Sequence, residues 1–156
     1  MIDMEDDKVR VAKWARRRDI VVQAAVSDRV ENVDIYSPGD FSTNATIDAE
    51  AAAHHPEYQR LHQIETETLT DVLERCDCPS EFDFLNIDCE GNDFRVLKGL
   101  VLDRYAPKVI CIEIWESKQG LDGLMASDIH QHLHAHEYEL RSWSIFSAIY
   151  VRRVAL

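Results

Sequence analysis

The chain has 156 residues, of which 46% are hydrophobic and 29% are charged, so it is long enough to bury one globular core. Its formal net charge of −12 argues against a nucleic-acid partner, because such binding needs a positive surface. No apolar run is long enough to span a bilayer, and residues 1–7 are acidic where a signal peptide would be basic. We therefore expect a single domain over residues 1–156, with no membrane partner, located in the cytoplasm with reduced cysteines.

Helix and strand patterns alternate along the chain. The first half predicts a helix from Asp3 to about residue 18, strands at 20–26, 32–36 and 63–66, and a helix at 48–54. The second half predicts helices from Thr68, from Gly91 to about 104 and from about 127, and strands at 82–88, 109–115, 138–143 and 146–152. The near-continuous apolar strands favour a parallel sheet covered on both faces, closed by a C-terminal antiparallel hairpin. The long polar excursion at 37–62 is typical of a lid or binding loop.

Two carboxylates follow the most apolar strand pattern of the chain. Residues 82–91 read FDFLNIDCEG, so Asp88 and Glu90 stand one residue apart, just before Gly91 and a helix. A buried strand would deliver both to the carboxyl edge of the sheet, where open α/β sheets bind ligands. Because carboxylates lose solvation there unless something partners them, the pattern favours a functional site. The alternative is a helix-capping Asp88 and a solvated Glu90.

Glu113 intrudes near the carboxyl end of the strand at 109–115 and is the third acid expected at this edge. Clustered carboxylates raise one another's pKa, which suits a general base, and they can also hold a divalent cation through oxygen ligands. We favour the base or positioning roles and expect no metal, because no further Asp or Asn cluster completes a cage. A capping or ion-pairing role is the alternative for Glu113.

Four histidines alternate with other residues towards the end of the helix that starts at about 127. His130 and His134 would share one helix face, and His132 and His136 another. Such spacing attracts metal ions in vitro. We expect a solvated helix face instead, with histidines placed favourably for the helix dipole.

Six blocks of the sequence resemble, in order, the FkbM-type methyltransferase family. They are AAVSD at 24–28, TLTDVL at 68–73, FDFLNIDCEG at 82–91, VLKG at 96–99, PKVICIE at 107–113 and YEL at 138–140. The resemblance implies a Rossmann-like class I methyltransferase fold, an α/β three-layer sandwich with a mostly parallel sheet and a C-terminal antiparallel hairpin. It also implies methyl transfer from S-adenosylmethionine, usually to an oxygen of a sugar, polyketide or other small metabolite.

The same resemblance implies roles for single residues. Asp3 matches the end of the family's second strand and would bind the ribose hydroxyls of S-adenosylmethionine, while Ala25 and Val26 would lie beside the adenine. Asp88 matches the end of the fourth strand, near the methionine part and the methyl group. Asp88 is therefore both a cofactor-binding and a catalytic candidate, and Glu90 is the next candidate to activate or position a small-molecule acceptor.

One part of the family pattern is missing from this sequence. None of the five glycines forms a Gly-x-Gly turn between a strand and a helix, so the first strand, its glycine-rich loop and the next helix have no counterpart. We therefore expect a partial domain, truncated at the amino end. Glu137 also stands where the family has a glycine, which affects one turn.

Two other functions stay open. A non-catalytic methyltransferase-like domain could act as an interaction module, or form a homo-oligomer, through the sheet surface that the missing strand leaves open. A phosphate- or nucleotide-binding α/β protein of another kind is disfavoured, because the sequence contains no phosphate loop.

Overall fold

The computed structural model describes residues 1–39 and 45–153, which form an α/β fold. Its strands are β1 Ile2–Asp3, β2 Val22–Gln23, β3 Ala25–Ser27, β4 Asn32–Ser37, β5 Gln59–Thr68, β6 Glu81–Ile87, β7 Ala106–Glu113, β8 Tyr138–Ser144 and β9 Ser147–Arg152. Its helices are α1 Asp6–Ala15, α2 Ala49–Ala53, α3 Leu69–Arg75, α4 Asp93–Lys98, α5 Leu121–Ala126 and α6 Asp128–Ala135. A 3₁₀ turn at Trp115–Gln119 precedes α5, and neither element has a counterpart among the predicted ones.

The described strands form sheets of mixed direction. One sheet pairs β1 with β2, a second has the order β3-β5-β4, and a third has the order β6-β7-β9-β8. The pairs β1–β2, β3–β5 and β6–β7 are parallel, whereas β4–β5, β7–β9 and β8–β9 are antiparallel. The predicted C-terminal hairpin is confirmed. The expectation of a mostly parallel sheet is wrong, because the chain returns antiparallel beside β4 and the hairpin adds antiparallel strands beside β7.

Two elements of the first half differ from their predicted extent. The strand expected at 20–26 is interrupted at Ala24, since β2 pairs with β1 whereas β3 pairs with β5. The first helix starts at Asp6 instead of Asp3, because β1 uses Asp3 in its ladder with β2. The Asp3 carboxylate accepts a hydrogen bond from the Glu5 N–H at 3.0 Å, close to the helix start.

The main hydrophobic core surrounds β7. Its fully buried side chains include Leu97, Ile110, Ile112, Ile114, Leu124, Leu133, Tyr138 and Tyr150. β6 is less buried than its apolar sequence predicts, because β7 is its only strand partner in the part of the chain that the structure describes. Phe84 is 58% exposed and Ile87 only 3%. Over the same residues, no helix is both long and apolar enough to cross a membrane.

Helix α4 ends at Lys98, short of the predicted residue 104, where Gly99 brings the backbone against β3. A Cβ atom on Gly99 would lie only 2.3 Å from the carbonyl oxygen of Ser27. The Gly99 carbonyl also accepts hydrogen bonds from the N–H and the hydroxyl of Thr70. A residue without a side chain therefore sets the spacing between α4 and β3.

We expect Gly99→Ala to lower the free energy of unfolding by about 1–3 kcal/mol, the usual cost of overpacking. Gly99 has a φ of −72°, so in open space the same substitution would stabilise the protein by about 0.4–1 kcal/mol. Urea unfolding measures the change. Gly39→Ala is the control, because none of the described residues lies within 4 Å of its Cβ position and only its φ of +155° opposes a side chain. A stabilised Gly99→Ala protein would contradict the close approach of α4 and β3.

Candidate active site

A cleft of about 710 Å³ lies between β1 and β6, and most of the predicted site residues line it. Asp3 of β1, Ala25 and Val26 of β3, and Asp88 and Glu90 after β6 all line this one cavity. Its apolar lining includes Ile2, Met4, Ala24, Ile47, Leu69, Leu85, Ile87 and Val96. The fold therefore brings together residues from distant parts of the sequence, at the end of β1, at the start of β3 and after the end of β6.

Asp88 is the first residue after β6 and is exposed to solvent. Helix α4 begins five residues later with Asn92 as its N-cap residue, so the helix-capping alternative for Asp88 is wrong. Burial first, then the charge of Asp93, and then the smaller effects of the Asp88 and Asp3 charges raise the pKa of the Cys89 thiol to about 12, while a hydrogen bond to the Asp88 backbone acts in the opposite direction. The acids of β1 and β6 thus act on the same buried group.

Glu90 is half-buried, and its pKa is raised above the ordinary value. Burial is the main cause, followed by the charges of Glu113 and Asp88, while Lys8 acts in the opposite direction. Glu113 lines a smaller neighbouring recess and not the main cleft. Its carboxylate accepts a hydrogen bond from Trp115 Nε1 at 2.8 Å, so its partner is an indole and not the cation of the ion-pair alternative.

The residues after β6 form a tight turn in the left-handed region of backbone conformation. Glu90 has a φ of +49° and Gly91 a φ of +96°. Glycine adopts this region freely, whereas a residue with a side chain pays about 1–2 kcal/mol. The Thr46 hydroxyl donates to the Glu90 carbonyl oxygen at 2.9 Å, and the Asp93 carboxylate accepts from the N–H groups of Cys89 and Gly91.

Sequence patterns did not single out Thr46 or Asp93. Thr46 belongs to the polar segment expected as a lid or binding loop, and it is buried together with Ala45 and Ile47. Where the structure describes it, this segment packs on the turn: the Cβ atom of Ala51 lies 3.5 Å from the Cβ position of Gly91. Residues 40–44 of the segment lie outside the described residues. The strand expected at 63–66 is longer, since β5 covers Gln59–Thr68.

Asn92 places a buried polar group in the lining of the cleft. Its Nδ2 donates to the carbonyl oxygen of Val26 at 2.8 Å, which orients the carboxamide. The Asn92 Oδ1 atom is buried and has no hydrogen-bond partner in residues 1–39 and 45–153. Buried acceptors of this kind normally have a partner, so the atom is a candidate contact for a ligand donor.

The histidines of α6 differ from the expected solvated face. His130 is 8% exposed, and its Nδ1 lies 3.1 Å from the hydroxyl oxygen of Tyr150. The ring of His132 lies edge-on to that of Phe94, with centroids 6.0 Å apart. The expectation is wrong for His130 and His132, because β9 and α4 cover two sides of this helix, whereas His134 is exposed as expected. No group of three or more His, Cys, Asp and Glu in the described ranges is placed to hold a metal ion.

We expect the contribution of His130 and His132 to the stability of the protein to fall as the pH is lowered from about 7 to about 5, whereas the contribution of Asp93, whose pKa is raised to about 6, grows over the same range. Burial lowers the pKa values of His130 and His132 below 6.5, with nearby histidine charges as a second cause. Their contribution is therefore present above pH 6.5 and is lost as the pH falls through the lowered values. Urea unfolding at several pH values measures this dependence.

The matched variant for this measurement is His130→Gln, which does not titrate and can still hydrogen-bond to Tyr150. Measured relative to this variant, the wild type should lose stability as the pH falls, because only the wild type has a titrating group at position 130. The exposed His62 provides the control, because His62→Gln should leave the pH dependence unchanged. Equal slopes for His130→Gln and the wild type would contradict the assignment.

Open α/β folds bind ligands beside the carboxyl ends of their strands, so this fold and cleft are those of an α/β protein with a candidate ligand site. The family model described as the methyltransferase FkbM domain matches residues 3–140. The chain therefore belongs to the FkbM methyltransferase family, which confirms the resemblance of the motif blocks. No curated protein and no solved structure matches the chain.

Proposed function

We propose that this chain is an S-adenosylmethionine-dependent methyltransferase that acts on an oxygen of a small metabolite or sugar. The main support is that Asp3, Asp88 and Glu90 line one cleft at the carboxyl ends of β1 and β6. Membership of the FkbM family supports the reaction class. The parallel pairs β1–β2 and β6–β7 on either side of the cleft support a Rossmann-like arrangement. The net charge of −12 supports a small-molecule acceptor over nucleic acid.

The lining of the cleft fits S-adenosylmethionine, which when bound supplies a methyl group on a positively charged sulfur. The carboxylates of Asp3, Asp88 and Glu90 outnumber the cations Lys8 and Arg16 in the lining, and such a lining attracts a cation. Asp3 is proposed to accept hydrogen bonds from the ribose hydroxyls, and the apolar Ala25 and Val26 to contact the adenine. Asn92 donates to the Val26 carbonyl through Nδ2, while its Oδ1 atom has no partner among the described residues. This Oδ1 atom adds an acceptor suited to an amino group.

The acceptor hydroxyl needs a base or a hydrogen-bond acceptor to become reactive. Glu90 suits proton removal, because its raised pKa makes the carboxylate a stronger base. Asp88 lies two residues away on the same turn and is proposed to orient the hydroxyl or to take its proton directly. Glu113 is the third candidate, and its charge contributes to the raised pKa of Glu90.

We expect the 156-residue chain to bind S-adenosylmethionine more weakly than micromolar. No glycine is among the described residues that line the cleft, so none lets the backbone approach the ligand closely. Calorimetry with millimolar ligand measures the dissociation constant. S-adenosylhomocysteine, which lacks the positive sulfur, is the control and should bind more weakly still. A micromolar or tighter constant for S-adenosylmethionine would contradict this expectation.

In methyl-transfer assays with millimolar S-adenosylmethionine and a panel of hydroxyl compounds, we expect Asp88→Asn to lower turnover by a factor on the order of 100 to 10,000. The substitution keeps the shape of the side chain and removes its charge. Because Asp88 is exposed and outside the helix cap, the free energy of unfolding should change by less than about 0.5 kcal/mol.

Asp103→Asn is the charge-matched control for this experiment, since Asp103 is exposed and outside the cleft lining. It should leave turnover unchanged. Normal turnover in Asp88→Asn would transfer the catalytic role to Glu90 and Glu113. A wild type that forms no methylated product with any compound of the panel would count against the proposed function.

A second candidate function is an interaction module, or a homo-oligomer formed through the open sheet. The edge of β6 next to the cleft has no strand partner in the described chain, and Phe84 on this strand is 58% exposed. Unpaired strand edges readily pair with other chains. Sedimentation over a range of concentrations separates the candidates: an oligomer without affinity for S-adenosylmethionine favours the module, and a monomer that binds it favours the enzyme.

A further inference from the structure

The turn that carries Glu90 is bridged by one buried carboxylate, that of Asp93. Asp93 is 3% exposed and is the first residue of α4. One of its oxygens accepts a hydrogen bond from the N–H of Cys89 at 2.9 Å, and the other accepts from the N–H of Gly91 at 3.2 Å. A single side chain therefore connects the two residues on either side of Glu90.

The turn needs such contacts because of its backbone conformation. Glu90 and Gly91 both have positive φ, which residues with side chains adopt rarely. Thr46 holds the carbonyl group of Glu90 from the β4 side, with its hydroxyl at 2.9 Å. Asp93 holds the N–H groups from the α4 side. The direction of the Glu90 side chain follows from the backbone that these two residues fix.

We propose that Asp93 is a positioning residue: by binding the N–H groups of Cys89 and Gly91, it fixes the turn in which Glu90 lines the cleft. This inference rests on the proposed function of the same site. Asp93 lines the smaller recess and not the main cleft, so it acts through the turn and not on a substrate. Its two hydrogen bonds call for an ionised carboxylate, because charge-assisted bonds are the stronger ones.

The surroundings of Asp93 oppose its ionisation. Burial is the main cause that raises its pKa to about 6; the hydrogen bond from Cys89 acts in the opposite direction, and the charge of Glu113 adds to the increase. Glu113 from β7, Glu116 from the 3₁₀ turn and Asp128 from α6 line the same recess, and all of them are acidic. The turn should therefore be held less firmly as the pH falls through about 6.

Nuclear magnetic resonance of the full chain tests the hydrogen bonds between Asp93 and the N–H groups of Cys89 and Gly91, and it needs no cofactor. In the wild type, the amide proton signals of Cys89 and Gly91 should shift together with a midpoint near pH 6. Asp93→Asn should abolish this transition, because asparagine stays neutral and offers a single acceptor oxygen. Glu90→Gln is the matched control and should retain it. A wild type without the common transition overturns the proposal, and so does a transition that survives in Asp93→Asn or disappears in Glu90→Gln.

Kinetics test the positioning role. With millimolar S-adenosylmethionine, Asp93→Asn should lower kcat by a factor on the order of 10 to 100, as expected for a misplaced catalytic group, while KM for S-adenosylmethionine changes far less. An unchanged kcat overturns the role. A wild type that shows the amide transition but no methyl transfer refutes the proposed function, and the positioning role falls with it, leaving Asp93 as a structural support of the turn. The wild-type titration needs no variant, so it decides even if Asp93→Asn fails to fold.

Discussion

The attachment of α4 to β3 is the constraint on which the cleft depends. Asn92 donates to the Val26 carbonyl at 2.8 Å, and Arg95 Nε lies 3.0 Å from the Asp28 carboxylate. Burial alone would raise the pKa of Asp28, but hydrogen bonds and charges from Lys98 and Arg95 outweigh it and lower the pKa to about 2. This ion pair therefore persists across ordinary pH values. Because α4 follows β6 directly, these contacts hold the end of β6 beside β3, and the two sides of the cleft stay together.

The acids near the cleft differ in how their negative charges are compensated. The buried carboxylate of Asp93 accepts hydrogen bonds from two backbone N–H groups, which compensate its negative charge. Glu90 is half-buried, and the charge of Glu113 acts against its ionisation. Such clustering works against stability, because like charges share a poorly solvated space. The same clustering makes Glu90 a better base, and perturbed carboxylates of this kind are typical of functional sites.

Unpartnered buried polar atoms mark two different places in the molecule. Asn92 Oδ1 lies in a residue that lines the cleft, where a ligand can supply the missing donor. His132 Nε2 lies in the packing of α6, away from the cleft lining, and the lowered pKa of this histidine shows the cost of its burial. Among the described residues, Asn92 Oδ1 is therefore part of the candidate site, whereas His132 Nε2 bears on the pH dependence of stability.

The family, the order of most strands and helices, and the position of Asp88 and Glu90 after an apolar strand could all be predicted from the sequence. These features depend on local periodicity and short motifs, such as the Thr68 cap of α3, which the structure confirms with a 3.1 Å bond to the N–H of Asp71. Glu113 was correctly expected at the end of its strand, but its place in a separate recess could not be deduced from its position in the chain.

The mixed direction of the sheets, the exposure of β6 and the support of the Glu90 turn depend on tertiary contacts and could not be predicted from the sequence. Sheet direction and burial depend on which strands become neighbours, which an apolar pattern does not specify. Thr46 reaches Glu90 across 44 residues of sequence, so no local pattern links them. Asp93 looks in sequence like any acid in the first turn of a helix. Its role follows from a turn of unusual backbone conformation, whose N–H groups need a buried acceptor.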